Sequence, residues 1–161
     1  MPAVEALIRQ TAGGLRRLAT VVAPPVLRLA LAMPFFRSGL TKWDGFLNLS
    51  PSAAYLFADE FKLHIFGGIY DFPAPDLFAL VDGVAEIALP ILLVLGLATR
   101  FAALALLVMT GVIQLVVPEG WANFHLPWAG LALAIMALGP GPLSVDHLIG
   151  RAGRRNDQRA A

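Results

Sequence analysis

Residues 77–100 constrain the fold more than any other stretch, because they form an apolar run long enough to cross a lipid bilayer. About 20 residues at helical rise span the hydrocarbon. The run nevertheless carries Asp82 and Glu86, four residues apart and therefore on one face of a helix. Pro90 follows four residues later and has no N–H to donate to the Glu86 carbonyl. Acidic side chains are costly in lipid, so this face should point at protein or water, and it is the first candidate for function.

The composition of the whole chain agrees with a membrane protein. Of the 161 residues, 58% are hydrophobic and 14% are charged, against about 45–50% and about 25% in ordinary globular chains. The net charge of +1 argues against nucleic acid as a partner, because phosphate binding requires a clear basic surplus. The chain contains no cysteine, which excludes disulfides and a dithiol relay carried by this chain.

Hydropathy and turn residues predict an all-α integral membrane four-helix bundle. The predicted domain covers residues 24–146, between an N-terminal segment of residues 1–23 and a basic tail of residues 147–161. Gly96 and Arg100 mark the end of the second span and a tight turn. The four predicted spans cover residues 24–40, 77–99, 101–117 and 124–138.

Two short amphipathic helices are expected beside the spans. The first lies within residues 1–20, where apolar residues and arginines alternate at near-helical spacing, as in helices that rest on a membrane surface. A signal peptide is not expected, because Arg28 interrupts the apolar segment. The second helix begins in the first outer loop, with Ser50 as N-cap and Pro51 in the first turn, and ends before Gly67. Its apolar face would consist of Ala54, Phe57, Ala58, Phe61 and Ile65.

The distribution of basic residues predicts the orientation in a bacterial inner membrane. If both termini are cytoplasmic, the inner side holds eight arginines, four of them in the tail. The outer side holds only Lys42 and Lys62. Cytoplasmic segments carry the basic excess, so we expect a multi-pass protein with both termini inside.

Five polar residues from the four predicted spans form the candidate binding site. At about 1.5 Å per residue, Asp82 lies roughly 9 Å and Glu86 about 15 Å from the outer end of the second span. Arg37, Gln114 and His125 each lie within about one turn of the outer end of their own helices. We expect Arg37 to pair with Asp82 first and with Glu86 second. Two interpretations stay open: a polar pocket that binds a head group or relays protons, and an ion-pair network that only fixes helix register.

Other chemistries find little support in the sequence. The three histidines are scattered, with His64 and His147 outside the spans, so no shared metal site is expected. Gln114 with Thr110 also fits simple bridging between helices, and His125 beside Trp128 also fits a residue at the membrane interface. No serine stands in a nucleophile motif with histidine and acid partners. Whether the chain catalyses a reaction by itself stays open.

Short motifs in a fixed order resemble the DoxX family of small bacterial membrane proteins. They are Arg28-Leu29-Ala30 leading to Phe36, Gly39-Leu40-Thr41-Lys42, Glu86 followed by LLVLGLATR, and the closing GPGPLSVD. The resemblance covers residues 26–146 and implies a four-helix membrane bundle. The polar positions that match are Arg28, Lys42, Glu86, Arg100 and Asp146.

The resemblance also implies a role, since some family members are linked to quinone-coupled redox systems. The expected function is a quinone- or lipid-head-group-binding subunit of a membrane oxidoreductase system. No cofactor other than quinone is expected, and the expected partners are the lipid bilayer, a redox-enzyme subunit and a further copy of the chain. The alternative is a non-catalytic scaffold that docks a redox or stress-response partner through the outer helix around Phe57 and Phe61.

Overall fold

A single long helix, α1, opens the chain and spans Pro2–Leu40. The computed structural model describes the backbone of residues 2–160 and the side chains of residues 9–153. The predicted boundary at residue 23 falls inside α1, which continues through Pro24 and Pro25. Each proline removes one backbone hydrogen bond without ending the apolar run, and membrane helices tolerate such breaks. The side chains of residues 1–8, which belong to the predicted N-terminal amphipathic helix, lie outside the described residues.

Three further helices complete the bundle: α3 (Pro75–Leu95), α4 (Thr99–Val116) and α5 (Leu126–Leu138). In the part of the chain that the structure describes, four helical segments are long and apolar enough to cross a membrane, which confirms the predicted fold class. Helix α5 is extended at its start by the short helical turns Pro118–Gly120 and Trp121–His125. The limits of α3, α4 and α5 differ from the predicted ones by a few residues, as expected at helix ends. The first apolar helical segment covers Arg9–Leu40 and therefore begins much earlier than the predicted residue 24.

The turn between α3 and α4 forms at Gly96, as predicted. Gly96 has a left-handed φ of 69°, and the N–H groups of Gly96 and Leu97 donate to the carbonyls of Leu93 and Leu92. This is the Schellman arrangement, in which glycine closes a helix at low steric cost. The chain reverses within three residues, so α3 and α4 pack side by side.

The helices pack in a ring in which α1 contacts α3 and α5, while α4 contacts the same two helices. The buried core between them is apolar, and its largest members are Leu31, Phe35, Leu93, Leu106 and Ile135. Large apolar side chains also cover the outer faces of the helices, as expected where the surrounding medium is lipid.

The loop between α1 and α3, which we call the outer loop after its predicted position, differs from the predicted secondary structure beyond Glu60. Ser50 caps α2 (Pro51–Tyr55) by accepting a hydrogen bond from the Ala53 N–H at 3.2 Å, as the sequence indicates. A π-helical turn then covers Leu56–Glu60, and the predicted helix through Ile65 is wrong. The chain instead forms an antiparallel hairpin of β1 (Lys62–Ile65) and β2 (Gly68–Asp71).

The backbone angles of the turn and an ion pair at the open end both favour the hairpin. Phe66 and Gly67 have φ values of 49° and 82°, and two positive φ angles are the mark of the type I′ turn that matches strand twist. Lys62 Nζ lies 2.7 Å from Asp71 Oδ1 across the open end. His64 Nδ1 lies 3.1 Å from the Leu115 carbonyl oxygen at the end of α4. The hairpin is therefore fixed beside the end of the bundle at which α4 ends. Helix α6 (Val145–Ala160) follows the bundle at the opposite end.

Candidate functional site

The two acidic residues of α3 converge on one lysine. Lys42 lies in the turn after α1, and its Nζ is 2.8 Å from Asp82 Oδ2 and hydrogen-bonded to Glu86 Oε2. The same Nζ lies 3.3 Å from Ser38 Oγ. Lys42 is 8% exposed and Glu86 is 3% exposed. We call Ser38, Lys42, Asp82 and Glu86 the Lys42 cluster.

Two glycines allow α1 and α3 to approach closely enough for this cluster to form. A Cβ atom at Gly39 would lie 2.9 Å from the Cβ of Glu86, and one at Gly83 would lie 2.8 Å from the Trp43 ring. Small residues at such positions let the backbones of membrane helices approach each other. At the end of α1, the Lys42 N–H donates to the Gly39 carbonyl, and this turn directs the lysine back onto α3.

The cluster holds one positive and two acidic groups. Burial lowers the pKa of Lys42, but the negative charges of Asp82 and Glu86 and their hydrogen bonds outweigh burial and hold this pKa above its ordinary value. Lys42 is therefore protonated at neutral pH. With both carboxylates ionised the cluster carries a net charge of −1, which is costly in an apolar surrounding.

The cluster forms the polar end of a cavity of about 220 Å³. All four members of the cluster line it. The remaining wall is mostly aromatic and aliphatic, and its aromatic members are Phe35, Phe57, Phe61, Phe72, Phe78 and Trp128. A charged end and an aromatic body suit a ligand with a small polar head and a flat apolar ring.

The structure brings Asp82 and Glu86 together as the sequence predicts, but their expected partner is wrong. Arg37 is exposed, and the ion pairs to both carboxylates come from Lys42. Ser38 and Lys42 are four positions apart and share a face, whereas Arg37 is about 100° away from Ser38 around the helix. The matching GLTK motif and the i, i+4 spacing of Ser38 and Lys42 are the signals that identify the lysine.

Gln114 and His125 bond to each other beside the cavity. His125 Nδ1 lies 2.6 Å from Gln114 Oε1, and Gln114 Nε2 donates to the Pro118 carbonyl at 3.0 Å. Neither residue lines the cavity, although the His125 ring packs on Trp128, which does. The pair fixes the connection between α4 and α5, and a direct role in ligand binding stays a prediction.

Phe57 and Phe61 do not form the docking surface that the scaffold alternative requires. Phe57 is buried and Phe61 is half-buried. Their rings pack edge to face with centroids 5.2 Å apart, and Phe57 also packs on Phe72. Both side chains point into the cavity wall because the outer loop folds over the bundle.

A second polar cluster lies at the opposite end of the bundle. Arg28, which interrupts the apolar segment of α1, is 2% exposed. Its guanidinium donates to the Leu93 and Val94 carbonyls at 3.4 Å and to the Leu143 carbonyl. It therefore adds hydrogen bonds to carbonyl groups in the last turn of α3, where Leu93 also accepts from the Gly96 N–H.

Asp146 holds the start of α4 at this end. Its carboxylate accepts hydrogen bonds from the N–H groups of Ala98 and Thr99, at 2.8 and 2.9 Å, and from the Thr99 hydroxyl at 2.8 Å. Burial raises the pKa of Asp146, but these hydrogen bonds outweigh burial and lower the pKa below its ordinary value. These contacts fix the loop before α6 against the turn between α3 and α4.

Metal ligation receives no support from the geometry. Among the described side chains, no three histidine, aspartate or glutamate residues gather at one point.

Comparison with known proteins places this arrangement in a family. The DoxX family matches residues 23–119, which include the whole Lys42 cluster. The chain belongs to the DoxX family. It is also similar to an uncharacterized protein of Haemophilus influenzae, with 32% identity over 139 residues that cover 77% of this chain and 81% of that protein. No solved structure matches the chain. The family and the four apolar helices together identify a multi-pass membrane protein.

Proposed function

We propose that this DoxX protein binds the head group of a membrane-soluble molecule, in the first place a quinone, as a subunit of a membrane oxidoreductase system. The observation that carries the proposal is the placement of the Lys42 cluster at one end of an aromatic cavity. An ion-pair network that only fixed helix register would need no open space beside it. The cavity of about 220 Å³ is smaller than the pockets of about 300–1,000 Å³ that hold drug-sized ligands, which favours a single ring.

The residues of the cavity have distinct roles in this proposal. Glu86 is the hydrogen-bond partner or proton acceptor of the head group, because it lies deepest in α3 among the acids of the cluster. Lys42, rather than Arg37, is the ion-pair partner of both acids. In this proposal Lys42 and Asp82 together set the charge state of Glu86. The aromatic wall holds the ring by stacking and edge-to-face contacts.

The test is binding of a short-chain benzoquinone analogue, in both its oxidised and reduced forms, to the purified protein in lipid nanodiscs. We expect at least one form to bind the wild type. We expect Glu86→Gln to change that affinity by about tenfold or more, because hydrogen bonds to charged groups contribute roughly 1.5–3 kcal/mol. Glu60→Gln, the same substitution at an exposed outer-loop residue, is the matched control and should bind as the wild type does. Absent binding, or equal binding to wild type and Glu86→Gln, would remove the proposal.

A scaffold function would have to use a different surface from the one first expected. Phe46 and Phe66 are fully exposed apolar side chains on the outer loop, and they favour a contact surface there. If the protein is a scaffold, Phe66→Asp abolishes co-purification of an oxidoreductase partner while Glu86→Gln leaves it intact. The reverse pattern supports the cavity as the functional site.

A further inference from the structure

The hydrogen-bond donors of the Lys42 ammonium group are all in use. An ammonium group has three N–H donors and no acceptor. Lys42 Nζ has three acceptors around it, namely Ser38 Oγ at 3.3 Å, Asp82 Oδ2 at 2.8 Å and Glu86 Oε2. No N–H of Lys42 is left for a ligand that enters the cavity. A ligand that can only accept hydrogen bonds therefore gains no hydrogen bond from Lys42.

The carboxylates, in contrast, have unused capacity to accept hydrogen bonds. An ionised carboxylate offers about four lone-pair sites on two oxygens. The contacts with Lys42 use Oδ2 of Asp82 and Oε2 of Glu86, and they leave Oδ1 and Oε1 to other partners. Both residues line the cavity. The polar end of the cavity is thus rich in oxygen acceptors, with two carboxyl groups beside one ammonium group.

Two other residues with a hydrogen-bond donor, Ser38 and Trp128, line the cavity, against four oxygen atoms on the two carboxyl groups. The Ser38 hydroxyl is a neighbour of Glu86, so a carboxylate oxygen is already within its reach. The Trp128 ring packs among Phe35, Phe124 and His125 in the wall. A carbonyl oxygen finds only further acceptors at the unused carboxyl oxygens, whereas an O–H group can donate to them.

From this geometry we infer that the cavity selects a head group that donates a hydrogen bond, a hydroxyl-bearing ring such as a quinol, over the acceptor-only quinone. The inference rests on the proposed function and specifies its ligand class. One hydroxyl donates to a free carboxylate oxygen of Asp82 or Glu86, while the ring occupies the aromatic wall. A hydroxyl lipid offers the same donor without the ring, so the two sources need separate probes.

The experiment compares four probes on the wild-type protein in lipid nanodiscs under anaerobic conditions, with Kd measured by isothermal titration calorimetry. The probes are a short-chain benzoquinol, the matching benzoquinone, the dimethyl ether of the quinol, and a monoacylglycerol. We expect the quinol to bind at least tenfold more tightly than the quinone and than the dimethyl ether. The ether keeps the ring and the size of the quinol and removes only the donors.

The possible outcomes separate this inference from the proposed function. Quinone binding as tight as quinol binding, or tighter, overturns the donor preference and leaves head-group binding in place. Binding of none of the probes overturns both. Monoacylglycerol binding that equals quinol binding supports the donor preference and assigns the site to a hydroxyl lipid.

A variant gives a second, independent measurement. Glu86→Gln keeps the shape of the side chain, removes one negative charge and adds an N–H₂ donor. We expect the preference for quinol over quinone to fall below threefold in this variant. A preference of tenfold or more that persists in both Glu86→Gln and Asp82→Asn would overturn the assignment to the carboxylates.

Discussion

At the scale of single residues, Lys42 decides how two acids can lie inside an apolar bundle. A buried charge persists only where it is paired and hydrogen-bonded. Lys42 meets that condition for Asp82 and Glu86 at the same time. Removal of one member of a buried ion pair costs about 3–5 kcal/mol, because it leaves an unpaired charge behind.

Lys42→Met should therefore lower the free energy of unfolding by about 3–5 kcal/mol, measured by denaturant titration in detergent. The double variant Lys42→Met/Glu86→Gln should recover part of this loss, since it removes one of the unpaired acids. Lys62→Met is the matched control, because Lys62 forms an ion pair with the exposed Asp71, and surface pairs contribute only about 0–1 kcal/mol. Equal losses for Lys42→Met and Lys62→Met would contradict the assigned role of the cluster.

Asp146 should make the stability of the protein depend on pH in the acidic range. Its pKa is lowered below the ordinary value of 3.8 in the folded state, so the unfolded chain takes up the proton first. The stabilisation is complete above that ordinary value and is lost as the pH falls through the lower, folded value.

Asp146→Asn tests this pH dependence. The variant keeps only one acceptor oxygen, so it should be less stable than the wild type at pH 7 by about 0.5–1.5 kcal/mol, the contribution of a typical hydrogen bond. Thermal unfolding of both proteins at pH 7 and at pH 3 should show the difference shrinking at the lower pH. A difference that stays constant or grows on acidification would exclude an ionised cap at the start of α4.

At the scale of elements, the contact between α1 and α3 positions the site. A Cβ atom at Gly39 would lie 3.0 Å from the backbone carbonyl carbon of Glu86 and 2.9 Å from its Cβ. The Cδ1 end of Ile87, also 2.9 Å away, can move aside, but the backbone and Cβ of Glu86 cannot. Any larger residue must therefore push the helices apart. The same displacement would separate Lys42 from its acids.

Gly39→Ala should accordingly lower the free energy of unfolding by about 1–3 kcal/mol, as other overpacking substitutions do. Gly111→Ala in α4 is the matched control, because a Cβ there would meet no atom within 4 Å, and alanine favours a helix over glycine by about 1 kcal/mol. Denaturant titration of both variants should give shifts of opposite sign. Shifts of the same sign and size would show that α1 and α3 are not in close contact at Gly39.

At the scale of the whole molecule, four spans place the two termini on the same side of the membrane. The basic residues counted along the sequence predict that this side is the cytoplasm. Three of the tail arginines, Arg154, Arg155 and Arg159, have side chains outside the described residues, so this orientation rests on the sequence. The hairpin then faces the outside, with Phe66 at its tip.

The absence of cysteine makes this topology easy to test. Phe66→Cys should react with a membrane-impermeant maleimide in intact spheroplasts, because Phe66 is fully exposed. Arg151→Cys, at an exposed position beyond the last span, should react only after the membrane is permeabilised. Labelling of Arg151→Cys alone in intact cells would invert the topology, and labelling of both would contradict four complete spans.

The sequence by itself determined the features that depend on neighbours along the chain. Hydropathy revealed four spans because a bilayer requires about 20 apolar residues in a row. Gly96 and the Ser50-Pro51 pair located a helix end and a helix start through local backbone preferences. The spacing of Asp82 and Glu86 placed both acids on one face of α3 for the same reason.

Only the tertiary structure decided which side chains meet across the bundle. Lys42 pairs with the acids in place of Arg37 because of the turn after α1 and the close approach of α1 and α3 at Gly39. Neither feature can be predicted from hydropathy. Phe57 faces inward because the hairpin and the end of α4 fix the outer loop over the cavity. Lipid and a protein interior are equally apolar, so the sequence pattern cannot distinguish the side of a helix that faces lipid from the side that builds the site.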